Sequence, residues 1–280
     1  MRQVEYATLH CPERGLESCI YLAVERDTRE VELSEEDRFN YFPATPFPSI
    51  SWILSGQLHM VERFGGRPAL GNPLPRVFFS GPTRSPSVSW SPGAVRVLTV
   101  SCYPEALARL LDLPMSQCVG SVLSLEDVMS GKRLDQLVNV QFDGHANPFD
   151  QVQCLLNRLW VNESTRRVYD VRSWLAMLAT RAASTTGITG QRSFQRLVKY
   201  WTGQSLRDLQ LYARVERAIS HGARTSNEER LDFSDIAIES GYADQSHLGR
   251  EVRRVTGLSP LKLKALVEHS EAFWMYRLLR

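Results

Sequence analysis

A repeat with an offset of 54 residues constrains the fold of this chain more than any other feature. The first copy is GITGQRSFQRLVKYWTGQS at residues 187–205, and the second is GYADQSHLGREVRRVTGLS at residues 241–259. Glycine stands at the first and the seventeenth position of both copies. Between these glycines, four positions are identical, namely Gln191/Gln245, Arg196/Arg250, Val198/Val252 and Thr202/Thr256. The chain therefore uses one structural unit twice.

The residues ahead of the second copy predict a short helix that ends at Gly241. Phe233, Ile236 and Ala237 recur at i, i+3 and i+4, the apolar stripe of a helix that packs against a core. Gly241 follows at the point where the helix must end, because glycine adopts positive φ without strain.

A second helix follows within the same copy. Its predicted buried stripe is Leu248, Val252 and Val255. Asp244 or Ser246 can cap its beginning, and Gly257 ends it. Ser259 and Pro260 then begin another helix, with proline at a position where its missing N–H costs nothing. Two short helices joined by a glycine turn indicate a helix-turn-helix unit.

The first copy shows the same division of residues. Its predicted inward stripe is Phe194, Leu197, Val198 and Trp201. Between the copies, residues 205–221 predict a spacer helix of 17 residues, or about 25 Å at 1.5 Å per residue. A rigid spacer of this kind would hold the two units at a fixed separation.

The outward residues of the two second helices are candidates for contact with DNA. They are Gln191, Arg192, Ser193, Gln195 and Arg196 in the first copy, and Gln245, Ser246, His247, Arg250 and Arg253 in the second. Arginine, glutamine and serine are side chains that bond to phosphates and base edges. A charged helix face is often only solvated, but the same side-chain types in two copies favour DNA. Two helices in successive major grooves would lie roughly 34 Å apart.

These motifs carry a family resemblance. Residues 233–260 resemble the C-terminal half of an AraC/XylS-type DNA-binding domain, with its I-A-x-x-x-G-[FY]-x-D-x-S-x-[FL]-x-R core and G-x-S-P ending. The matching positions are Ile236, Ala237, Gly241, Tyr242, Asp244, Ser246, Leu248, Arg250, Gly257, Ser259 and Pro260. The spacer is similar to the family's linker helix in its R-x-E-x-A frame, formed by Arg214, Glu216 and Ala218. The resemblance covers about residues 168–268 and implies a transcription regulator. The first copy departs from it with Leu206 where the second has Pro260.

The charge distribution agrees with this division. From Arg166 onward, 19 Lys and Arg face 12 Asp and Glu, a net charge of +7. The preceding residues hold 14 basic and 19 acidic side chains, a net of −5. A basic C-terminal part fits a DNA-binding role.

The first half of the chain predicts a β-rich domain. Apolar residues alternate in SISWILS, where Ile50, Trp52 and Leu54 share a face, and in LHMVE, RVFFS, VSWS and VRVLTVS. Glycine and proline separate these runs, which indicates an antiparallel barrel or sandwich. Helical patterns follow, opened by Pro104, by the segment SLEDVMSGKRLDQLV and by Pro148. Residues 18–140 resemble the β-rich sensor domains of AraC-type regulators.

Motifs for catalysis and cofactor binding are missing from the sequence. No G-x-G-x-x-G, P-loop, H-E-x-x-H or G-x-S-x-G frame occurs. His59 lacks a partner at i+2 for a metal site. The five cysteines are odd in number and have no C-x-x-C spacing, and Cys102 and Cys154 are expected to be small buried residues. Trp52, Trp90, Phe78 and Tyr103 could line a ligand cavity or be core. We therefore predict no catalytic residue, no cofactor and no metal, and the ligand-binding residues stay unknown.

The sequence thus predicts an α+β chain with four parts. They are a β-rich barrel or sandwich with helices for sensing or dimerisation (1–145), a helical connector (146–167), an all-α domain with two helix-turn-helix units (168–270) and a C-terminal tail (271–280). The expected partner is double-stranded DNA, with a small-molecule effector, RNA polymerase and a homodimer left open. The tail is expected to pack back on the protein, with a coactivator or polymerase contact as the alternative. The main alternative function is an enzyme or metal-dependent N-terminal module with an appended DNA-binding domain. A further alternative is a ligand-independent regulator whose β-rich domain is only a protein–protein platform.

The sequence also predicts the compartment. The first ten residues, MRQVEYATLH, lack the apolar region of a signal peptide. No run approaches the roughly 18 apolar residues of a membrane span. We therefore expect a cytoplasmic protein. The sign of regulation stays open between activator and repressor.

Overall fold

A computed structural model describes residues 2–4, 6–64, 67–143, 146–160, 170–184, 190–224 and 233–278. In these residues the first part of the chain is dominated by strands. In chain order they are β1 (Arg2–Val4), β2 (Ala7–His10), β3 (Ile20–Asp27), β4 (Phe39–Phe42), β5 (Ser49–Ser55), β6 (His59–Phe64), β7 (Arg67–Pro73), β8 (Val77–Ser80), β9 (Ser87–Trp90), β10 (Arg96–Cys102) and β11 (Val122–Ser124). The five runs of alternating residues correspond to β5, β6, β8, β9 and β10.

Helices follow the strands and dominate the C-terminal part. They are α1 (Pro104–Leu111), α2 (Leu125–Val128), α3 (Lys132–Val138), α4 (Pro148–Leu159), α5 (Val171–Ala183), α6 (Gln191–Thr202), α7 (Leu206–Arg224), α8 (Phe233–Glu239), α9 (Gln245–Thr256), α10 (Pro260–His269) and α11 (Trp274–Leu278). Proline opens α1 and α4 as predicted. In the described residues, no helix is both long and apolar enough to cross a bilayer.

The strands form two antiparallel sheets, as expected of a sandwich. The larger sheet has the order β1-β2-β3-β10-β5-β8-β11, and the smaller has the order β4-β9-β6-β7. The central pairs are long, since β10 pairs with β3 from Arg96 to Cys102 and with β5 from Arg96 to Ser101. The molecule is therefore an α+β chain with a β-rich N-terminal part and a helical C-terminal part.

The two faces of the larger sheet have different neighbours. Leu98 and Val100 on β10 belong to a core shared with the helices. On the same face, Trp52 of β5 pairs with Leu98 and donates its Nε1–H to the Leu137 carbonyl of α3 at 2.9 Å. The alternate residues of β10, Thr99 and Ser101, face a cavity instead. Successive side chains of a strand point to opposite faces, which explains this separation.

One buried cluster continues from the sheet into the C-terminal helices. Trp174 on α5 is fully buried, and its ring lies 5.1 Å from Phe47 and 6.5 Å from Tyr103 between centroids. Its Nε1–H donates to Glu105 Oε1 at 3.2 Å. The β-rich part and the helical part thus share a core.

The C-terminal tail packs back on the β-rich part, as expected. Phe273, Trp274, Tyr276 and Leu278 are buried. The Phe273 ring stacks on Tyr41 of β4 at 4.5 Å.

The structure corrects one expectation from the sequence, and some other expectations concern residues that the structure does not describe. Cys102 is buried as predicted, but Cys154 is exposed. The buried face of α4 is formed by Phe149, Val152 and Leu156, and Cys154 lies about 200° around the helix from Val152 at 3.6 residues per turn. Residues 161–167 of the predicted connector, Gly187, and the side chain of Phe233 lie outside the described residues.

Candidate DNA interface

The two candidate recognition helices have the same length and the same offset as the sequence repeat. α6 and α9 each contain 12 residues. The first residues, Gln191 and Gln245, and the last residues, Thr202 and Thr256, differ by 54 positions. The sequence repeat is therefore also a repeat of structure.

Both helices end in the same hydrogen-bonded cap. Thr202 Oγ1 donates to the carbonyl oxygen four residues back at 2.8 Å and accepts from the N–H two residues on at 3.2 Å. Thr256 repeats both contacts at the same distances. The next residues, Gly203 and Gly257, have φ of 71° and 78°, which favours glycine. The chain leaves each recognition helix in the same direction relative to its last turn.

The beginnings of the two helices differ. Asp244 caps α9, because its Oδ1 accepts the His247 N–H at 2.7 Å. This residue is one of the two caps expected from the sequence. α6 follows Gly190, which has φ of 92° and no side chain to provide a cap. A side-chain cap stabilises a helix start by about 1 kcal/mol, so the second copy has the better-fixed start.

The predicted faces of α9 are present in the structure. Its buried residues are Leu248, Val252, Val255 and Thr256. Gln245, Ser246, Arg250 and Arg253 are exposed, and His247 is half-buried. Four of its five predicted contact residues are therefore accessible to a large ligand such as a DNA groove.

The faces of α6 follow the same order with less burial. Val198 is buried, whereas Phe194, Leu197 and Trp201 are only half-buried. The exposed residues are Gln191, Arg192, Gln195 and Arg196, and Ser193 is half-buried. Both helices therefore present amides and guanidinium groups on their outer faces.

Ion pairs brace α9 against the spacer helix α7. Arg214 binds the Glu251 carboxylate with two hydrogen bonds, from Nε at 3.0 Å and from Nη2 at 2.7 Å. Arg254 of α9 donates to Asp208 of α7 at 2.6 Å. Burial of Asp208 opposes ionisation, but hydrogen bonds from Ser205 and Arg254 outweigh it and lower the pKa of the carboxyl. Two arginines thus join the second recognition helix to the spacer. Arg214 of α7 binds Glu251 of α9, and Arg254 of α9 binds Asp208 of α7.

The Glu216 position of the linker frame connects three elements. One carboxylate oxygen accepts the Val171 N–H at the start of α5 at 2.9 Å, and the other lies 3.3 Å from the Tyr21 hydroxyl of β3. Burial raises the pKa of Glu216. The family resemblance identified this residue, but its contact with the β-rich part could not be seen in the sequence.

The segment that follows α6 is fixed to two loops of the β-rich part. Gln204 is fully buried, and its Nε2 donates to the carbonyl oxygens of Thr45 and Thr83 at 3.3 and 3.2 Å. The Tyr212 hydroxyl of α7 lies 2.9 Å from the same Thr83 oxygen and 2.7 Å from Gln204 Oε1. Burial raises the pKa of Tyr212 to about 12, so the hydroxyl stays a donor.

The ends of both recognition helices contact these same loops. Arg84 Nη2 donates to the Gly203 carbonyl at 3.1 Å. The Val255 carbonyl of α9 accepts the Ala44 N–H at 2.8 Å. Neither contact could be predicted from the sequence, because both join residues more than a hundred positions apart.

A cavity of about 310 Å³ lies between the two sheets. The loops that hold the recognition helices form part of its wall, through Thr45, Thr83 and Pro86. Trp274 and Met275 of the tail form another part. The cavity is thus bounded by the β-rich part together with elements that touch the DNA-binding helices.

The sequence foresaw little of this lining. Of the four aromatic residues considered for a cavity, Phe78 lines it, while Trp52 and Tyr103 are buried in the core. The Trp90 ring lies 5.8 Å from His59. The ring of His59 bonds the Gly71 carbonyl at 2.9 Å. Among the described residues, no three His, Cys, Asp or Glu side chains are grouped in a way that could hold a metal ion.

Comparison with known proteins agrees with the duplicated helices. Residues 183–265 match a family model described as a helix-turn-helix domain. This part of the chain is a helix-turn-helix domain of the AraC/XylS type, and the protein is a DNA-binding transcription regulator. No curated protein matches the chain.

Solved structures show weaker likenesses. ToxT from Vibrio cholerae O395 gives a TM-score of 0.37 at 12% identity, with 83% of this chain and 95% of that chain covered. ToxT of Vibrio cholerae strain SCE256, bound to an unsaturated fatty acid, gives 0.36 at 12% identity over 95% and 97%. Hydroxypropylphosphonic acid epoxidase from S. wedmorenis gives 0.26 at 17% identity over 35% and 51%. Scores this low do not establish a common fold or a common ligand.

Proposed function

We propose that this regulator binds a specific DNA site by inserting α6 and α9 into successive major grooves. The proposed contact residues are Gln191, Arg192, Ser193, Gln195, Arg196, Gln245, Ser246, His247, Arg250 and Arg253. The observation that carries the proposal is the pair of recognition helices with equal length, equal C-terminal caps and outward arginine and glutamine side chains. Arginine suits guanine and glutamine suits adenine in the major groove.

The spacer helix supports simultaneous binding by both units. α7 has 19 residues, which corresponds to about 28 Å at 1.5 Å per residue. Its two ion pairs with α9 resist rotation of the second unit about the spacer. Two helices held in this way favour grooves about one turn apart on one face of DNA.

We further propose the division into residues 1–145, 146–167, 168–270 and 271–280 as sensor, connector, DNA-binding domain and tail. The cavity supports control by a small molecule, because its wall includes loops and tail residues that contact the DNA-binding part. A homodimer and a contact with RNA polymerase belong to the same proposal, and the proposed site of action is the cytoplasm. Sedimentation of the full chain with and without its DNA site tests the dimer.

The proposal includes no catalytic activity. The alternative is that the N-terminal part is an enzyme or a metal-dependent module. The cavity favours a binding role, since its described walls are apolar and hydroxyl-bearing with one charged residue, Arg26. No acid, base and nucleophile meet there among the described residues.

The test uses the full chain and a DNA site selected from random sequences. Gln245→Ala and Arg250→Ala should each weaken specific binding by about 1–3 kcal/mol when a bidentate base contact is lost. Matched controls are Gln136→Ala and Arg133→Ala, which change exposed residues of α3 in the β-rich part. Fluorescence polarisation at one salt concentration measures affinity, and thermal melting checks the fold. Unchanged affinity in both α9 variants would refute the proposed contact face.

A further inference from the structure

Gly249 lies inside the second recognition helix, where a glycine lowers stability. It is the fifth of the 12 residues of α9, between buried Leu248 and exposed Arg250. Its backbone is helical, and it is not among the glycines with positive φ. Alanine would therefore form this turn of the helix better, because glycine loses more conformational freedom on folding. The backbone conformation gives no reason for glycine at this position.

The packing of the protein gives no reason for this glycine either. A Cβ atom at Gly249 would have no neighbour within 4 Å among the described residues, apart from its own helix. At Gly203, by contrast, a Cβ atom would lie 2.6 Å from the Met115 carbonyl oxygen. An alanine at position 249 would meet open space. The described part of the protein therefore does not require that a side chain be absent here.

Gly249 interrupts a row of polar side chains on the surface of α9. Gln245 stands four residues before it and Arg253 four residues after it, and residues four apart lie about 40° apart around a helix. Gln245 and Arg253 are exposed, and both belong to the proposed DNA contacts. The row therefore has a long side chain at each end and a gap at its centre.

The first recognition helix has the corresponding row without a gap. Its members are Gln191, Gln195 and Lys199, and all three are exposed. Gln195 is the counterpart of Gly249 at the repeat offset of 54 residues. Each row begins with glutamine and ends with a basic residue. The two rows therefore differ most at the centre, which is an amide in α6 and bare backbone in α9.

The gap in α9 suits an apolar group of the major groove. Within a helix the N–H and C=O groups bond to each other along the axis, so the backbone at Gly249 offers a ligand only its Cα–H surface. The apolar group on the major-groove edge of the base pairs is the C5 methyl group of thymine. Gln245 in the same row has the amide that suits adenine. The row therefore suits a thymine close to an adenine.

We propose that Gly249 determines the base preference of the DNA segment contacted by α9, the second half-site. Its missing side chain leaves the space that receives a thymine methyl group, whereas Gln195 fills the same space in α6 and selects adenine. This proposal rests on the proposed function, because it assigns a base preference within the proposed contact face of α9.

Deoxyuridine tests the methyl contact, because it differs from thymidine only by the missing C5 methyl group. The full chain binds the selected DNA site, and the second half-site is the one whose base preference weakens in Arg250→Ala. Replacement of one thymine there by deoxyuridine should weaken wild-type binding by about fourfold, the factor expected for one buried methyl group. The same replacement should leave the affinity of Gly249→Ala unchanged, since the added Cβ atom already occupies the space.

Gly249→Ala should change stability and DNA affinity in opposite directions. Its Tm should rise by about 2–4 °C, because alanine favours the helix. Its affinity for the selected site should fall by about fourfold or more, because the methyl contact is lost. Gly93→Ala is the matched control, at an exposed glycine of the β-rich part where a Cβ atom also meets nothing within 4 Å, and it should leave DNA affinity unchanged. A purely structural role of Gly249 would not produce this combination.

A second variant tests the base preference directly. Gly249→Gln gives α9 the side chain of the first copy, so selection from random DNA should replace the sensitive thymine of the second half-site by adenine. Wild-type DNA affinity in Gly249→Ala, a second half-site in which no thymine responds to deoxyuridine, or an equal response in wild type and Gly249→Ala would overturn the proposal. Failure of Arg250→Ala to weaken binding would instead contradict the proposed contact face of α9.

Discussion

Thr202 and Thr256 show how a single residue determines where a recognition helix ends. Each hydroxyl donates to one helix carbonyl and accepts the first N–H beyond the turn. Both side chains are buried, at 0% and 4% exposure, so water cannot replace the lost partner. The identity of the two residues in the repeat therefore has a structural cause.

Replacement of either threonine by valine should lower the free energy of unfolding by about 1–2 kcal/mol, because a buried N–H loses its acceptor while shape is preserved. The matched control is Thr180→Val on α5, whose hydroxyl donates to the Ala176 carbonyl on an exposed face. That change should cost less than about 0.5 kcal/mol. Urea denaturation of the three variants measures the difference, and an equal cost in all three would contradict the role of the caps.

Individual residues also show where sequence analysis fails. Gly241, Gly257 and Asp244 were predictable because caps depend on neighbours within a few positions. Arg26 could not be predicted, since an arginine on a strand is indistinguishable from a surface residue until the tail is placed beside it. The prediction for Cys154 was wrong, because Cys154 lies about 200° around α4 from Val152 and therefore away from the buried face.

At the level of elements, three glycines occupy equivalent backbone conformations in different surroundings. Gly203, Gly241 and Gly257 have φ of 71°, 83° and 78°. A Cβ atom on Gly203 would lie 2.6 Å from the Met115 carbonyl oxygen and 2.6 Å from a Val119 methyl group. On Gly257 the nearest atom is Pro86 Cγ at 3.3 Å, and on Gly241 nothing lies within 4 Å. Of these three glycines, only Gly203 therefore combines backbone strain with a clash between elements.

Alanine should be tolerated in the order Gly241, Gly257, Gly203. Each substitution carries the cost of a left-handed conformation, about 1–2 kcal/mol. Gly203→Ala should cost a further 1–3 kcal/mol, roughly, because the loop after α1 must move away. Thermal melting measures the order of stability of the three variants. A Gly203→Ala protein as stable as the Gly241→Ala protein would contradict the close contact between the end of α6 and residues 115–119.

The elements themselves were predictable to different degrees. The helices of the repeat were foreseen because their apolar stripes and glycine ends are local signals. The strands β5, β6, β8, β9 and β10 were foreseen from alternation. Their order in two sheets was not, since the pairing of β10 with β3 joins residues about seventy positions apart. Serines such as Ser51 alternate with core residues because they face the cavity, and not because they face solvent.

At the scale of the whole molecule, the DNA-binding part and the β-rich part are connected at several places. Buried Trp174 joins α5 to the core, Gln204 joins the turn after α6 to two loops, and the tail joins the larger sheet through Arg26. The opposite net charges of the two parts favour this association, although a Debye length of about 8 Å limits their effect at physiological salt. The ends of both recognition helices are therefore connected to loops that line the cavity.

The spacing of the recognition helices leads to a prediction about the DNA site. A single chain should protect two segments on one face of DNA, centred about 10 base pairs apart. α7 joins the two units and forms two ion pairs with α9, so we expect that neither unit follows a displaced half-site. An insertion of about five base pairs between the half-sites rotates one of them to the opposite face. Affinity measured by polarisation should then fall to that of one half-site. An insertion of about ten base pairs serves as the control, because it returns the half-site to the same face of the DNA but does not restore the distance between the half-sites.

Two results would separate the possible failures of this arrangement. Undiminished binding to the five-base-pair insertion would mean that one helix alone contacts DNA. The second unit should then be that helix, because α9 has the side-chain cap at Asp244 and the braces to α7 that α6 lacks among the described residues. Arg250→Ala would abolish specific binding in that case, and Arg196→Ala, the same residue in the first copy, would leave it intact. Equal losses in the two variants, together with sensitivity to the insertion, are the outcome expected of two helices acting as one unit.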